Sequence, residues 1–204
     1  MDLKKKDKIL YNYRQPGRQD KKILAKLKRK DQEAYLKAYD LYVDQIYRFV
    51  YFKISNSEEA EDITSLVFLK TWNYINENKL DDVKTLKALI YTIARTSVID
   101  YYRQNAQDNL KIHIDNIEMP IDLPDTRQDV HKKVEIKSDI KIIENTLNKL
   151  KDEYREIIIL KYIEELSIEE IADIIQKSKN NVRVLTHRAI KALKELIEEE
   201  RNFK

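Results

Sequence analysis

Residues that interrupt helices are almost absent from this chain, and their scarcity restricts the folds open to it. The 204 residues include a single glycine, Gly17, and three prolines. Glycine and proline end or kink helices, whereas the abundant Lys, Glu, Leu, Ile and Ala include the strongest helix formers. Ile and Tyr favour strands on their own, but here they recur at three- and four-residue spacing, which is typical of helices. The sequence therefore predicts an all-α protein.

Composition also narrows the compartment and the chemistry. Hydrophobic residues make up 42% of the chain, which is enough for a packed core. Cysteine is absent, so disulfides, thiol nucleophiles and cysteine-ligated zinc are excluded, and a reducing compartment fits. No apolar run approaches the roughly 20 residues of a membrane span, and the basic N-terminus lacks an apolar signal-peptide segment. We expect a cytoplasmic protein that does not insert into a membrane.

Apolar periodicity divides the chain into two helical parts. Helical spacing runs over about 20–104 and returns over about 136–204. The segment 105–135 contains Pro120 and Pro124 and has little periodicity, as expected of a linker. The first thirty residues carry twelve Lys or Arg against three Asp. The sequence thus predicts two small helical bundles joined by this linker, after a basic tail at 1–19.

The C-terminal part has the pattern of a helix-turn-helix. Ser167 and Glu170 form a capping box before a short apolar helix, a break follows at 176–179, and a longer basic helix begins near Asn180. Gln176 stands where the turn often has glycine, so it must adopt the turn conformation itself. In such units the start of the second helix lies in the major groove of DNA.

The second helix carries side chains suited to both kinds of DNA contact. Asn pairs with adenine, Arg with guanine, and Val contacts a thymine methyl. Lys and Arg elsewhere on the helix hold phosphates, which position the protein without specifying sequence. The candidate base-reading residues are Asn180, Asn181, Arg183, Val184 and His187, and the candidate phosphate contacts are Lys179, Arg188 and Lys191.

Three motifs, in order along the chain, resemble regions of bacterial sigma factors. The stretch LKDEYREIIILKYIEELSIEEIADIIQKSKNNVRVLTHRAIKALKEL, which begins at Leu150, resembles the fourth region. AEDITSLVFLKTWNYI (60–75) resembles the second region, and ALIYTIARTSVIDYYR (88–103) resembles its promoter-melting segment. The compact size, without an insert between the two domains, is similar to the extracytoplasmic-function (ECF) group of the sigma-70 superfamily.

The resemblance implies a subunit that initiates transcription by binding, and not an enzyme. It implies promoter recognition and DNA melting, with core RNA polymerase, promoter DNA and an anti-sigma protein as partners, and with no cofactor or metal. In the family the helix with the Ala-Glu-Asp pattern binds the polymerase, which implies the polymerase-binding residues Glu61, Asp62, Ser65, Leu66 and Lys70. The family commonly has Gln-Glu where this chain has Ser65-Leu66.

The promoter-melting segment implies a second DNA surface, which faces the downstream promoter element. Its candidate residues are Lys87, Tyr91, Arg95, Thr96, Tyr102 and Arg103. Exposed aromatic rings stack on unpaired bases while cations hold the backbone, so this mixture suits an opened strand. Tyr91 can equally serve the protein core, and Asp100 is expected to pair with Arg95 or Arg103.

Two other functional classes compete with this one. A conventional regulator would bind its operator through the same helix-turn-helix without polymerase. A helical hydrolase would use magnesium held by carboxylates such as Glu58, Glu61 and Asp62, with Asp81 and Asp82 nearby in sequence. The hydrolase lacks support, since the chain has no glycine-rich phosphate loop and no histidine cluster.

Overall fold

A computed structural model of the chain describes residues 16–77, 80, 83–109 and 142–202, and within these ranges every regular element is a helix. The helices are α1 (Pro16–Leu27), α2 (Gln32–Ile54), α3 (Ser57–Asn76), α4 (Leu86–Asn109), α5 (142–149), α6 (Asp152–Ile158) with a π-helical turn (Ile159–Ile163), α7 (Ile168–Ile175) and α8 (Lys179–Asn202). The all-α prediction is confirmed. In the described part of the chain, no helix combines the length and the apolar character needed to cross a bilayer.

Several helix ends differ slightly from those expected. Helix α1 begins at Pro16, four residues before Asp20, because proline is well suited to the first position of a helix. The N-cap of α3 is Asn56 rather than Ser57, and its side chain accepts from the backbone N–H of Glu59 at 3.2 Å. Helix α4 continues to Asn109, five residues into the predicted linker. The rest of that linker, and the tail before residue 16, lie outside the described residues.

Helices α1 to α4 pack around one apolar core and form the N-terminal half, residues 16–109. Tyr42, Ile46 and Phe49 of α2 are fully buried in it. They meet the buried faces of α3 and α4, which supply Val67, Phe68, Ile75, Ile90 and Ala94. The three- to four-residue spacing of these positions is the helical periodicity seen in the sequence.

A buried carboxylate, Asp20 of α1, fixes the start of α4. The side chain is 3% exposed and accepts the backbone N–H groups of Leu86 and Lys87, each at 3.0 Å. The same carboxylate accepts the hydroxyl of buried Tyr42 at 2.5 Å, and burial together with the Asp20 charge raises the pKa of Tyr42. The first N–H groups of a helix have no partner within the helix. Asp20 therefore caps α4 from a distant part of the chain.

Helices α5 to α8 form the C-terminal half, residues 142–202. Four consecutive residues, Ile157 to Leu160, are all at least 95% buried, which one face of a regular α-helix does not accommodate. The chain widens into a π turn at this point, and the N–H of Glu164 bonds to the carbonyl of Ile159 at 2.9 Å. The extra residue in this turn lets the whole apolar run remain buried.

The two halves pack directly against each other. Helix α4 contacts α7, helix α2 contacts the π turn, and the buried apolar residues of both halves form one continuous cluster. The Arg155 guanidinium of α6 donates to the carbonyl of Phe52 at the end of α2, at 2.8 Å. This packing determines which candidate functional residues are accessible.

Candidate nucleic-acid and polymerase interfaces

The helix-turn-helix forms as the sequence predicts. Ser167 and Glu170 exchange side-chain and backbone hydrogen bonds at 3.2 and 2.9 Å, which completes the capping box of α7. Gln176 ends that helix in the left-handed conformation with φ 55°, a value that costs a non-glycine residue some strain. Ser178 then caps α8 by accepting the N–H of Asn181 at 3.2 Å.

Helix α8 has one buried face and one exposed face. Val182, Leu185 and Ala189 are at most 9% exposed and hold the helix against the rest of the C-terminal half. All the candidate upstream residues are exposed: Lys179, Asn180, Asn181, Arg183, Val184, His187, Arg188 and Lys191. Val184 is 49% exposed, which is unusual for an apolar side chain unless a partner covers it. We call these eight residues the recognition face.

Two members of the recognition face already have polar neighbours. The Arg183 guanidinium donates to the Asn180 side-chain oxygen at 2.9 Å, and Lys179 pairs with Glu169 of α7. The Arg183 contact lies one helical turn away on the same face, so it holds the guanidinium beside the candidate base-reading asparagines. No strong structural bond would have to break for these side chains to turn toward DNA, because exposed pairs contribute little.

The polymerase-binding candidates occupy one side of α3. Glu61, Asp62, Ser65 and Leu66 are exposed, and Leu66 is an apolar side chain 42% exposed. Lys70 is partly buried and donates to Ser97 at 3.2 Å and to Asp100 at 3.3 Å on α4. Asp100 therefore pairs with Lys70 and not, as expected, with Arg95 or Arg103. Lys70 ties α3 to α4, while the four remaining residues leave a free surface.

The downstream candidates are split by the packing of the two halves. Thr96, Tyr102 and Arg103 are exposed. Lys87, Tyr91 and Arg95 instead face the C-terminal half, and Tyr91 is fully buried, with its ring edge against Phe49. The structure thus brings the six residues to one helix but makes only half of them accessible.

Paired charges cross the boundary at these covered residues. Lys87 donates to Glu170 at 2.8 Å, and Arg95 makes two bonds to Glu156, at 2.6 and 3.1 Å. Burial favours the neutral form of Glu170, but the hydrogen bonds from Lys87 and Ser167 outweigh it and lower the pKa of this carboxyl. Glu170 therefore serves both the helix cap and the boundary between the halves.

Glu164, in the sharp exit from the π turn, is the centre of this boundary. Its side chain is fully buried, accepts two bonds from Arg48 of α2 at 3.1 and 2.9 Å, and accepts the Tyr91 hydroxyl at 3.1 Å. Burial raises the pKa of Glu164 despite the Arg48 charge, and burial beside Glu164 raises the pKa of Tyr91. The tyrosine hydroxyl thus remains a neutral donor.

Sequence reasoning missed Arg48, Glu164 and Asp20. Each makes its contacts with residues at least 22 positions away, so no local spacing identifies the pairing. A charged residue inside an apolar stretch was the available signal, since such a residue must be paired when it is buried. Glu164 follows the apolar run at 157–160, and Asp20 precedes Ile23 and Leu24.

The carboxylates proposed as a magnesium site do not converge in the described part of the chain. Within those ranges no group of three or more His, Asp or Glu side chains is arranged to hold a metal ion. Asp81 and Asp82 lie outside the described residues.

Comparison with known proteins agrees with the motifs. The family models "Sigma-70 region 2" and "Sigma-70, region 4" match residues 38–107 and 140–193. The ECF RNA polymerase sigma factor SigW of Bacillus subtilis is 30% identical over 185 residues, which are 85% of this chain and 94% of SigW.

Two solved structures share the fold. One is CnrH in complex with the cytosolic domain of CnrY, with a TM-score of 0.67, 18% identity, and coverage of 89% of this chain and 98% of CnrH. The other is the sigma factor RpoE in complex with the anti-sigma factor NepR from Bartonella quintana, with a TM-score of 0.61, 22% identity, and coverage of 80% and 96%. Both family regions, their order and the match along almost all of SigW lead to one conclusion: this chain belongs to the ECF sigma factors and is an RNA polymerase sigma factor that directs promoter recognition and transcription initiation.

Proposed function

We propose that the chain works through three surfaces of separate roles and carries out no catalysis of its own. The exposed side of α3 binds core RNA polymerase, α4 binds the opened downstream promoter element, and the recognition face of α8 reads the upstream element. The observation that carries this proposal is the recognition face, where eight polar, basic or small apolar side chains are exposed on a helix whose other side is buried. Core polymerase implies a cytoplasmic location.

Run-off transcription from a promoter library tests the proposal. Core polymerase with this protein should yield transcripts that share an upstream and a downstream element, and core polymerase alone should not. A conventional regulator predicts a different result, a palindromic footprint formed without polymerase.

We propose an anti-sigma protein as a further partner. CnrH and RpoE, which share this fold, were each solved with a partner protein, and for RpoE that partner is an anti-sigma factor. The exposed apolar residues Leu36, Leu66 and Leu69 on α2 and α3 give such a partner a surface to cover.

Reversing the charge at Asp62 should weaken polymerase binding. Asp62 is exposed on α3 beside Leu66, so the Asp62→Lys substitution changes the surface without disturbing a buried contact. We expect about tenfold weaker capture of core polymerase, since like charges at an interface repel. The control is Glu198→Lys, an equal change of charge at the exposed end of α8.

Both variants should retain the helical circular dichroism of the parent protein. If Asp62→Lys captures core polymerase as well as Glu198→Lys does, the polymerase-binding role of this residue is wrong. Leu66, at the position where the family commonly has an acid, would then direct the search to another surface.

The division into two folded units, 20–104 and 136–204, can be tested by limited proteolysis. Trypsin has sites within 110–135 at Lys111, Arg127, Lys132 and Lys133. We expect the first cuts there, because segments with proline and few apolar residues bury little backbone. Mass spectrometry should find two resistant fragments. A first cut inside α2, α3 or α8 would contradict the division.

A further inference from the structure

The ion pairs between the two halves all have the same orientation. Among the described residues, each one joins a Lys or Arg of the N-terminal half to an Asp or Glu of the C-terminal half. The pairs are Arg48–Glu164, Lys53–Asp152, Lys84–Asp173, Lys87–Glu170 and Arg95–Glu156. Without its partner, the N-terminal half would present a face of uncompensated positive charge, which attracts polyanions.

The donors on this face are arranged as they would be around phosphate. Arg48 and Arg95 each hold a carboxylate with two parallel bonds, a fork geometry that serves carboxylate and phosphate alike. Lys84 and Lys87, just before and within the first turn of α4, hold one carboxylate each, at 3.0 and 2.8 Å. The carboxylates of the C-terminal half thus occupy positions that backbone phosphates could take.

The packing covers this face selectively. Glu61 and Asp62 on α3 remain exposed, and so does the whole recognition face of α8. Lys87 and Arg95, by contrast, have side chains only 13% and 24% exposed. Of the three surfaces proposed above, only the downstream one therefore requires the two halves to separate.

We infer that Arg48 and Lys84 join Lys87 and Arg95 in one site for the phosphate backbone of single-stranded DNA, which Glu164, Asp173, Glu170 and Glu156 occupy while the halves are packed together. The site rests on the proposed downstream role of α4 and extends it to α2 and to the residue before α4. It binds the strand by its backbone, so it is indifferent to sequence and dependent on salt.

The first experiment uncovers the site in the full chain. The triple variant Glu156→Gln, Glu164→Gln, Glu170→Gln removes three boundary charges and keeps side-chain size, and glutamine also preserves the capping box. The matched control is Glu153→Gln, Glu198→Gln, Glu199→Gln, which makes the same change in net charge away from the boundary. The probe is a fluorescent single-stranded oligonucleotide of mixed sequence, and binding is measured by anisotropy.

We expect the boundary variant to bind the oligonucleotide at least about tenfold more tightly than the parent, and the control to stay within about twofold. Cysteine is absent from the chain, so Lys37→Cys and Lys194→Cys provide unique positions for a pair of distance-reporting dyes. The dyes should move apart in the boundary variant. Equal gains in both variants would reduce the effect to net charge and overturn the proposal, and so would tight binding without separation of the dyes.

A milder variant covers the case in which the triple variant does not fold. Glu170→Gln with Asp173→Asn changes two carboxylates that retain about a third of their exposure, and a gain of about threefold is expected. An unchanged affinity in this folded variant would contradict the proposal.

The second experiment tests Arg48 itself, in the uncovered background. Arg48→Gln should weaken oligonucleotide binding about threefold or more and reduce the slope of log K against log salt by about 0.7, the value for one phosphate contact on a single strand. Lys37→Gln, another exposed cation on α2, is the control and should change neither quantity. An unchanged slope for Arg48→Gln would make Arg48 a structural clamp only.

Run-off transcription separates this proposal from the assigned function. If the boundary variant supports transcription with core polymerase but gains no affinity for the oligonucleotide, the covered site is wrong and the sigma-factor function stands. If neither the parent nor the variants support transcription, the failure belongs to the proposed surfaces.

Discussion

Replacing Asp20 with alanine is expected to lower the free energy of unfolding by about 3–5 kcal/mol. The substitution removes a buried carboxylate and leaves the Tyr42 hydroxyl and the N–H groups of Leu86 and Lys87 without an acceptor. Each buried donor without a partner costs about 1–3 kcal/mol. In a chain of this size, the loss corresponds to about 2–4 °C in melting temperature per kcal/mol.

Asp31 provides the matched comparison for Asp20. It is an ordinary N-cap, which accepts the N–H of Ala34 at 3.1 Å on the partly exposed start of α2. Asp31→Ala should cost about 1 kcal/mol, as exposed caps do. Urea denaturation followed by circular dichroism measures both variants. Similar costs for the two substitutions would show that Asp20 is no more than a local cap.

Shortening Arg183 to alanine should alter which promoters the protein selects. A guanidinium that reads one base pair contributes about 1–3 kcal/mol, so its loss should relax the preference at that position. Lys191→Ala, on the same exposed face, removes a phosphate contact and should weaken all sequences alike while lowering the salt dependence. Selection from a randomised upstream element, with core polymerase present, distinguishes the two results. If Arg183→Ala preserves the selected sequence, base reading must rest on Asn180, Asn181 and Val184.

The fold class, the helix-turn-helix and its exposed face could be predicted because they depend on local rules. Helical periodicity identified the buried positions Val182, Leu185 and Ala189, and the capping box located the start of α7. The left-handed conformation at Gln176 followed from the turn alone. These features involve residues within a few positions of each other, where spacing determines which side chains share a face.

The covered part of the downstream surface could not be predicted because it depends on how the halves meet. Lys87, Tyr91 and Arg95 have the sequence character of a DNA-binding face, but they are paired with residues 61 to 83 positions later in the chain. Complementary charge gave no signal of its own in a chain that is 37% charged. The role of Asp20 escaped for the same reason, since a lone acid near a basic tail resembles an ordinary surface residue.

The π turn makes the geometry of the boundary depend on chain length as well as on composition. Each residue of an α-helix advances the chain by about 100°, so deleting one residue from Ile159–Ile163 would regularise the helix and rotate everything after it by that angle. Glu164 would then turn away from Arg48 and Tyr91, although no charge had been lost. The contact between the halves is thus encoded partly as a phase, and a single-codon insertion or deletion can alter it as strongly as a substitution.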